Sequence, residues 1–337
     1  MRNIYDLTIK ELEDYFISIN EKKFRAVQVY EALYKRRIKS FDDMTNISKE
    51  VREKLKQDFS FYKIKMLIKQ QGKNVNKYLF ELEDGNKIES VLMFHDYGTS
   101  ICVSSQVGCN MTCAFCESGR LKKVRNLLAY EIVQQILQIE EDINKRITHV
   151  VLMGIGEPFD NYDNVLRFVK IINCGKGIDI GSRHITISTC GVIPGIKKFM
   201  NEEGQVNLAI SLHAPNDEIR NRIMPINKAY PLNELMETIK EYINKTNRRV
   251  TFEYIMLDNV NDSEENAKEL ALLLKGINCY VNLIPYNETE NIEFKRTKEW
   301  KIMKFYDILK KNKINVTIRK EFGGSVDAAC GQLRANN

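Results

Sequence analysis

The chain has 337 residues, a formal net charge of +6, 43% hydrophobic and 28% charged residues, the balance of an ordinary folded globular protein with a sizeable core. No stretch reaches the ~18 consecutive apolar residues of a membrane span, and no low-complexity tract interrupts the chain. The start, MRNIYDLTIKELEDYF, is amphipathic and acidic where a signal peptide would be basic and then apolar, so a cytoplasmic protein is expected.

Residues 1–60 read as helices: LTIKELEDYFISI (7–19), RAVQVYEALYKRR (25–37) and SKEVREKLKQDF (48–59), with Asp42 and Ser48 as expected N-caps. The period then shortens toward two in KIKMLIKQ and NKYLFELEDGNKIESVLMF, across the turn dipeptide Asp84-Gly85, which predicts a β-hairpin connector over 61–97. From residue 98 strand-like and helical runs alternate. SICVSSQ, THVVLMGIGE, HITISTC, VNLAISLHA, RVTFEYIML, CYVNLIPYN and NVTIRKEF are separated by runs such as AYEIVQQILQIEEDI and LNELMETIKEYINK. Repeated βα units with β-branched strands predict an α/β fold, a parallel sheet covered by helices, doubly wound or curled into a barrel. The chain thus divides into a helical module (1–60), a connector (61–97) and a βα core (98–337). In a barrel, chemistry sits in the loops after the strands, where Gly156-Glu157-Pro158, Ser188-Thr189-Cys190-Gly191, Ser211-Leu212-His213 and Pro285-Tyr286-Asn287 fall.

Four of the eight cysteines lie in CVSSQVGCNMTCAFC (102–116), after the first strand of the array. In a reducing compartment such cysteines are metal ligands or catalytic thiols more often than a disulfide framework. Cys174, Cys279 and Cys190 are read instead as small buried hydrophobes. Cys109, Cys113 and Cys116 form C-x3-C-x2-C, a spacing that suits zinc or an iron–sulfur cluster. A structural zinc would want a fourth ligand, and none of His95, His149, His184 and His213 stands at ligand spacing. Three ligands on a 4Fe-4S cube leave one iron open to a substrate or cofactor. Basic residues cluster at 22–40, 119–125 and 244–249, either as solvated helix faces or as contacts for a polyanion such as RNA.

CNMTCAFC on such an array resembles the radical S-adenosylmethionine (SAM) superfamily, and MGIGEP (153–158) is similar to its glycine-rich segment facing the methionine amine. More narrowly, CVSSQVGC, MGIGEPFDNYDNV, HITISTCGVIP, NLAISLHAPND, MPINKAYPL, RVTFEYIML, VNLIPYN and VDAACGQLR resemble the RlmN/Cfr family of RNA methyltransferases, most closely its RlmN branch.

The resemblance implies a partial (β/α)6 radical-SAM barrel behind an N-terminal helical accessory domain that binds RNA. It implies a 4Fe-4S cluster on Cys109, Cys113 and Cys116, and SAM held by Gly156, Glu157, Ser188, Ser211, Leu212, His213 and Asn287. It further implies methylation of adenine C2 in 23S rRNA, and of an adenine in tRNA anticodon loops, by a ping-pong scheme using two SAM molecules. A methyl moves first to Cys330; a second SAM yields a 5′-deoxyadenosyl radical that takes a hydrogen from the methylthio group, and the carbon radical adds to the base. Cys102 then resolves the adduct by forming a disulfide with Cys330, and Glu89 accepts the ring proton. The electron would come from a protein such as flavodoxin or ferredoxin. No coiled coil or apolar stripe demands a second copy, so a monomer without membrane contact is expected. The alternatives are a Cfr-type C8 methyltransferase conferring antibiotic resistance, and a zinc-stabilised RNA-binding protein without catalysis. The chain departs from the family pattern at CESGRLKKVRNL, where Glu117 directly follows Cys116; Arg120, Lys122, Lys123 and Arg125 in this loop are expected to meet phosphate.

Overall fold

Local capping starts the chain's first helix. Thr8 Oγ1 accepts the amide of Glu11, and the Glu11 carboxylate accepts the amide of Thr8 at 2.9 Å, closing a capping box at the head of α1 (Ile9–Ser18). Helices α2 (Arg25–Tyr34) and α3 (Lys49–Asp58) follow. Ser48 caps α3 as expected, accepting from Val51 N. Asp42 does not act as a cap. It lies inside a short 3-10 turn, Phe41–Asp43, which begins at Ser40, and the neighbouring Asp43 takes the amides of Lys39 and Ser40. The computed structural model of the chain describes residues 1–319 and 331–333.

Ten strands form one sheet whose spatial order follows the chain. The first three, β1 (Lys65–Gly72), β2 (Val75–Glu81) and β3 (Lys87–His95), are antiparallel. Between β2 and β3, Gly85 takes a φ of +80° and Asp84 accepts the amide of Asn86, so the Asp-Gly pair makes the predicted turn. Strand β4 (Gly98–Cys102) pairs antiparallel with β3 and parallel with β5 (His149–Leu152).

From β4 onward every pairing is parallel, through β6 (Ile185–Thr189), β7 (Asn207–Ser211), β8 (Val250–Met256), β9 (Cys279–Pro285) and β10 (Val316–Ile318). Their crossovers are α4 (Ala129–Ile143), α5 (Tyr162–Asn173), α6 (Ile193–Phe199), α8 (Leu232–Thr246), α9 (Glu264–Leu273) and α10 (Glu299–Lys311). That makes six βα units before the last strand. A short extra helix, α7 (Asp217–Ile223), lies between β7 and α8.

A parallel strand must return over the sheet, so α4 and α5 bury long apolar faces against it (Ile132, Val133, Ile136, Ile139; Val165, Phe168, Ile171, Ile172). The outer side of the same two helices receives the N-terminal module. Arg167 on α5 hydrogen-bonds Glu11, Arg37 pairs with Glu140 on α4, and the amide of Tyr130 donates to Asp6. Tyr5, Tyr30 and Tyr34 therefore share one continuous core with the sheet. Parallel strands send all their C-terminal ends to one rim, and the predicted loop motifs gather there. The first and last parallel strands, β4 and β10, lie at opposite ends of this row, with β1–β3 continuing the sheet beyond β4.

Candidate active site

The site begins where β4 runs out. Residues 103–106 continue in extended form and are clamped by the loop after β5: Val103 N donates to Val151 O (3.0 Å), Gly154 N to Val103 O (3.1 Å) and Ser105 N to Ile155 O (2.9 Å). Ser104 is fully buried, its hydroxyl donating to Glu89 O and accepting from Ile155 N. Two glycines make this close approach possible. A Cβ on Gly154 would lie 2.7 Å from the Val103 carbonyl, and one on Gly156, whose φ is +106°, would lie 2.6 Å from Gln106 Cβ.

The same loop carries Glu157 to the bottom of a cavity. Its side chain is buried, and its two oxygens accept the amides of Phe159 (2.9 Å) and Cys190 (2.7 Å), joining the loops after β5 and β6. Burial raises its pKa, and those amide donors oppose the rise.

The cavity holds about 830 Å³ of empty space, open solvent included, and Cys109, Cys113, Cys116, Gly156, Glu157, Ser188, Ser211 and His213 all line it. Eight of the ten candidate ligand residues thus meet at one site. Leu212 does not reach it by its side chain, which is fully buried in the main core. Asn287, two residues past the end of β9, is half-buried and outside the cavity lining. The ligand for which it was singled out would have to extend to that rim.

Burial drives the thiols toward their neutral form. Cys109 is pushed up to about 11 chiefly by desolvation, with the amide of Met111 opposing, and Cys113 is raised well above its ordinary value for the same reason. His213 is held at φ +58° by its surroundings: Ile255 N donates to its Nδ1 at 3.0 Å and Asn261 Nδ2 to its carbonyl at 2.8 Å. With Nδ1 accepting, the ring proton resides on Nε2. Burial and the nearby Arg220 lower its pKa to about 3, so the imidazole is neutral at physiological pH.

Three further residues belong to the site and were not singled out from the sequence. Cys190, read as a small hydrophobe, lines the cavity beside the Cys109 loop. Glu253, a lone carboxylate within the apolar strand β8, also lines it; Asn282 donates to its Oε1 at 3.0 Å, and Oε2 is buried without a partner. The signal was an acid inside a run that otherwise reads as fully buried. Arg220 lies behind the cavity wall on α7, where the sequence offered only a polar helix.

Cys102 and Glu89 stand to one side. Val91 on β3 faces Cys102 on β4, which places Glu89, two residues earlier, on the same face and diagonal to Cys102. Glu89 is 4% exposed and pairs with Lys77 at 3.2 Å. Cys102 belongs to one apolar cluster with Val91, Ile155 and Leu333. Cys330 lies outside the described residues, but those that follow it do not: Gly331 lines the cavity and accepts from Glu117 N (2.8 Å), while Ser118 Oγ donates to Leu333 O (2.6 Å). Glu117, the departure from the family pattern, is buried and ties the cysteine loop to this segment.

The basic loop behaves differently from expectation. Arg125 forms a two-pronged contact with Glu131 (2.8 and 2.8 Å), Lys123 pairs with Asp160 (2.7 Å), and Arg120 donates to Asn291 O (2.8 Å). These cations hold the loop onto the sheet's rim, and Lys122 is exposed.

Three thiols at the mouth of a parallel βα array define a radical SAM protein. Comparison with known families agrees: the model of the radical SAM superfamily matches residues 103–271, and that of the ribosomal RNA large subunit methyltransferase N-terminal domain matches residues 2–60. A Spiroplasma citri protein named "Probable dual-specificity RNA methyltransferase RlmN" is 54% identical over 341 residues, spanning 100% of this chain and 98% of its own. An Enterococcus faecalis protein of the same name is 54% identical over 342 residues, spanning 99% and 96%. The crystal structure of a radical SAM methyltransferase from Sphaerobacter thermophilus superposes with a TM-score of 0.94 at 40% identity, over 100% of both chains. The chain belongs to the RlmN family of radical SAM RNA methyltransferases.

The family implies a 4Fe-4S cluster and SAM, and the residues present fit both. The thiols share the cavity lining with Met111, Phe115, Met224, Ile255 and Ile284, an apolar surround that suits an iron–sulfur cluster. Among the described residues no three His, Cys, Asp or Glu side chains are grouped as ligands of a single metal ion. The orphaned Glu253 Oε2 calls for a hydrogen-bond donor, which a ligand carrying ammonium or hydroxyl groups supplies.

Proposed function

We propose that this protein methylates C2 of an adenine in 23S rRNA, and an adenine in tRNA anticodon loops, using two SAM molecules and a methyl-carrying cysteine, Cys330. When bound, the cluster supplies the electron that cleaves SAM. Cys109, Cys113 and Cys116 hold it, and Gly156, Glu157, Ser188, Ser211 and His213 hold the cofactor, with Leu212 contributing backbone only and Asn287 at the rim. Because both Glu157 oxygens are already taken by protein amides, its part is to fix the loop whose backbone faces the ligand. Cys102 serves as the resolving thiol. Glu89, its diagonal neighbour, accepts the proton from the ring, and Lys77 holds that carboxylate in place.

The observation that carries this reading is the seating of residues 331–333, directly after Cys330, between the cysteine loop and Cys102. A radical enzyme with no cysteine carrier has no use for that arrangement. The names of the relatives specify dual-specificity RNA methylation, which supports an enzyme acting on RNA. A flavodoxin- or ferredoxin-type donor, a monomeric state and a cytoplasmic location complete the proposal; among the described residues no helix is long and apolar enough to cross a membrane. Anaerobically reconstituted enzyme incubated with SAM, reductant and 23S rRNA or tRNA should yield 2-methyladenosine by mass spectrometry of the nucleosides. An 8-methyladenosine product would overturn the assignment to C2.

A further inference from the structure

Arg220 is the largest fully buried side chain of the molecule, and among the described residues no carboxylate pairs with it. Its guanidinium is satisfied by neutral acceptors: Nε donates to Leu212 O (3.2 Å), Nη1 to Asn227 Oδ1 (2.7 Å), and Nη2 to Cys190 O (2.7 Å) and Ser211 O (3.4 Å). The linked acid is Asp217, which sits one step back and accepts from Asn227 Nδ2 at 2.6 Å. Burying a cation without a counter-ion is costly. Hydrogen bonds to carbonyls tie down the ends of β6 and β7, but they leave the charge uncompensated. The contacts are tight, since a Cβ on Gly191 would lie 3.2 Å from Nη2.

That charge stands directly behind the cavity wall. Cys190 and Ser211, whose carbonyls it holds, line the cavity together with Cys113, and the amide of Ala114, next to Cys113, donates to Ile223 O at the end of Arg220's own helix (2.9 Å). We propose that Arg220 is a positioning residue whose buried positive charge raises the reduction potential of the cluster held by Cys109, Cys113 and Cys116. This rests on the cluster assignment made under the proposed function. One electron from a low-potential donor converts the 2+ cluster core to 1+ with no bond made or broken and no proton moved. The product carries one more negative charge, so a fixed cation nearby favours it. A neutral staple of the same shape would join the two strand ends equally well and leave the potential unchanged.

The test is a potentiometric titration of reconstituted full-length protein, with dithionite as reductant, followed by electron paramagnetic resonance of the reduced cluster. Arg220→Met should shift the midpoint to more negative potential, and Arg220→Lys should stay close to the parent value. Asp217→Asn keeps the acceptor for Asn227 but removes the negative charge behind the guanidinium, so it should shift the midpoint the opposite way, to more positive potential. Cluster-loaded Arg220→Met and Asp217→Asn proteins with the parent midpoint would overturn the inference. If Arg220→Met does not fold, the sign of the Asp217→Asn shift decides alone. A parent protein that shows no 4Fe-4S signal refutes the cluster assignment and this inference with it, whereas a loaded parent with unmoved variants refutes only the role of Arg220.

Discussion

Gly156→Ala separates two reasons for a glycine in the GIGEP loop. In one, the glycine is there to let a cofactor approach. In the other, which the structure supports, the loop could not lie against residues 103–106 with any side chain at this point. The built Cβ meets Gln106 Cβ at 2.6 Å, its Cγ at 2.8 Å and its backbone N at 2.8 Å, and Gln106 cannot swing away because its amide group is held by Asn126 and Asp160. Forcing a methyl into such a packed contact costs about 1–3 kcal/mol, and the φ of +106° adds about 1–2 kcal/mol for an L-residue. At about 2.1 cal/mol/K per residue the unfolding entropy of the chain is about 0.7 kcal/mol/K, so the combined penalty lowers Tm by about 3–7 °C. Circular dichroism of the apoprotein, with no SAM or iron present, measures this directly. Gly154→Ala, which has the clash without a positive φ, should fall less, by about 1–4 °C on the same scale. An apo Gly156→Ala protein melting within about 1 °C of the parent, below the ~3 °C floor of the combined penalty, would refute the reasoning.

Glu11 joins the N-terminal module to α5. Burial works to raise its pKa, but hydrogen bonds from Arg167, Thr8 and Arg2 outweigh it and hold the carboxyl at about 2. A carboxyl depressed in the folded state stabilises fully above its unfolded pKa near 4.5, and that contribution is lost as pH falls through the folded value. The stability gap between the parent and Glu11→Gln should therefore be constant at neutral pH and narrow between pH 4.5 and about 2, as followed by urea midpoints. Cys113→Ala should abolish the brown colour and iron content after reconstitution while the apoprotein keeps its fold by circular dichroism; retained iron would count against the ligand role. Cys102→Ala should trap a covalent protein–RNA adduct visible on a denaturing gel, and Cys330→Ala should methylate nothing while still cleaving SAM. Absence of any adduct would argue against Cys102 as the resolving thiol.

The order of the βα units was legible because each strand is a β-branched run and each crossover helix an amphipathic one, and burial on both faces of the sheet enforces that pattern. The strand-end polar clusters were legible for a related reason: parallel strands deliver all such loops to one rim. What the sequence did not reveal depends on three-dimensional pairing. Arg125, in a basic tract, looks like a phosphate contact until Glu131 and Asp84 are found on either side of it at 2.8 and 2.5 Å. Arg220 looks like one polar residue among many on DEIRNRI, yet its helix is packed so that the side chain points inward. Glu253 was within reach, since an acid in the middle of VTFEYIM has no solvent-facing explanation on a strand buried along most of its length.

The proposed mechanism requires two cysteines separated by most of the core, Cys102 and Cys330, to cooperate. Strand adjacency cannot bring them together, because β4 and β10 lie at opposite ends of the parallel row. The connection runs across the mouth instead. Gln332 Nε2 donates to Glu288 O at 3.3 Å beyond the end of β9, Glu117 N and Ser118 Oγ hold the Gly331 and Leu333 carbonyls at the cysteine loop, and Leu333 shares an apolar cluster with Cys102 at the end of β4. Residues 331–333 thus run from the β9 side of the rim toward the β4 side. They form a short strap, and the cysteine proposed to carry the methyl directly precedes it in the sequence. The double variant Ser118→Ala, Gln332→Ala removes the two side-chain anchors without touching any cysteine. It should leave iron content intact and slow methyl transfer to Cys330 and release of the RNA adduct together. A protein that loses only one of the two steps would show that the anchors do not act through the strap.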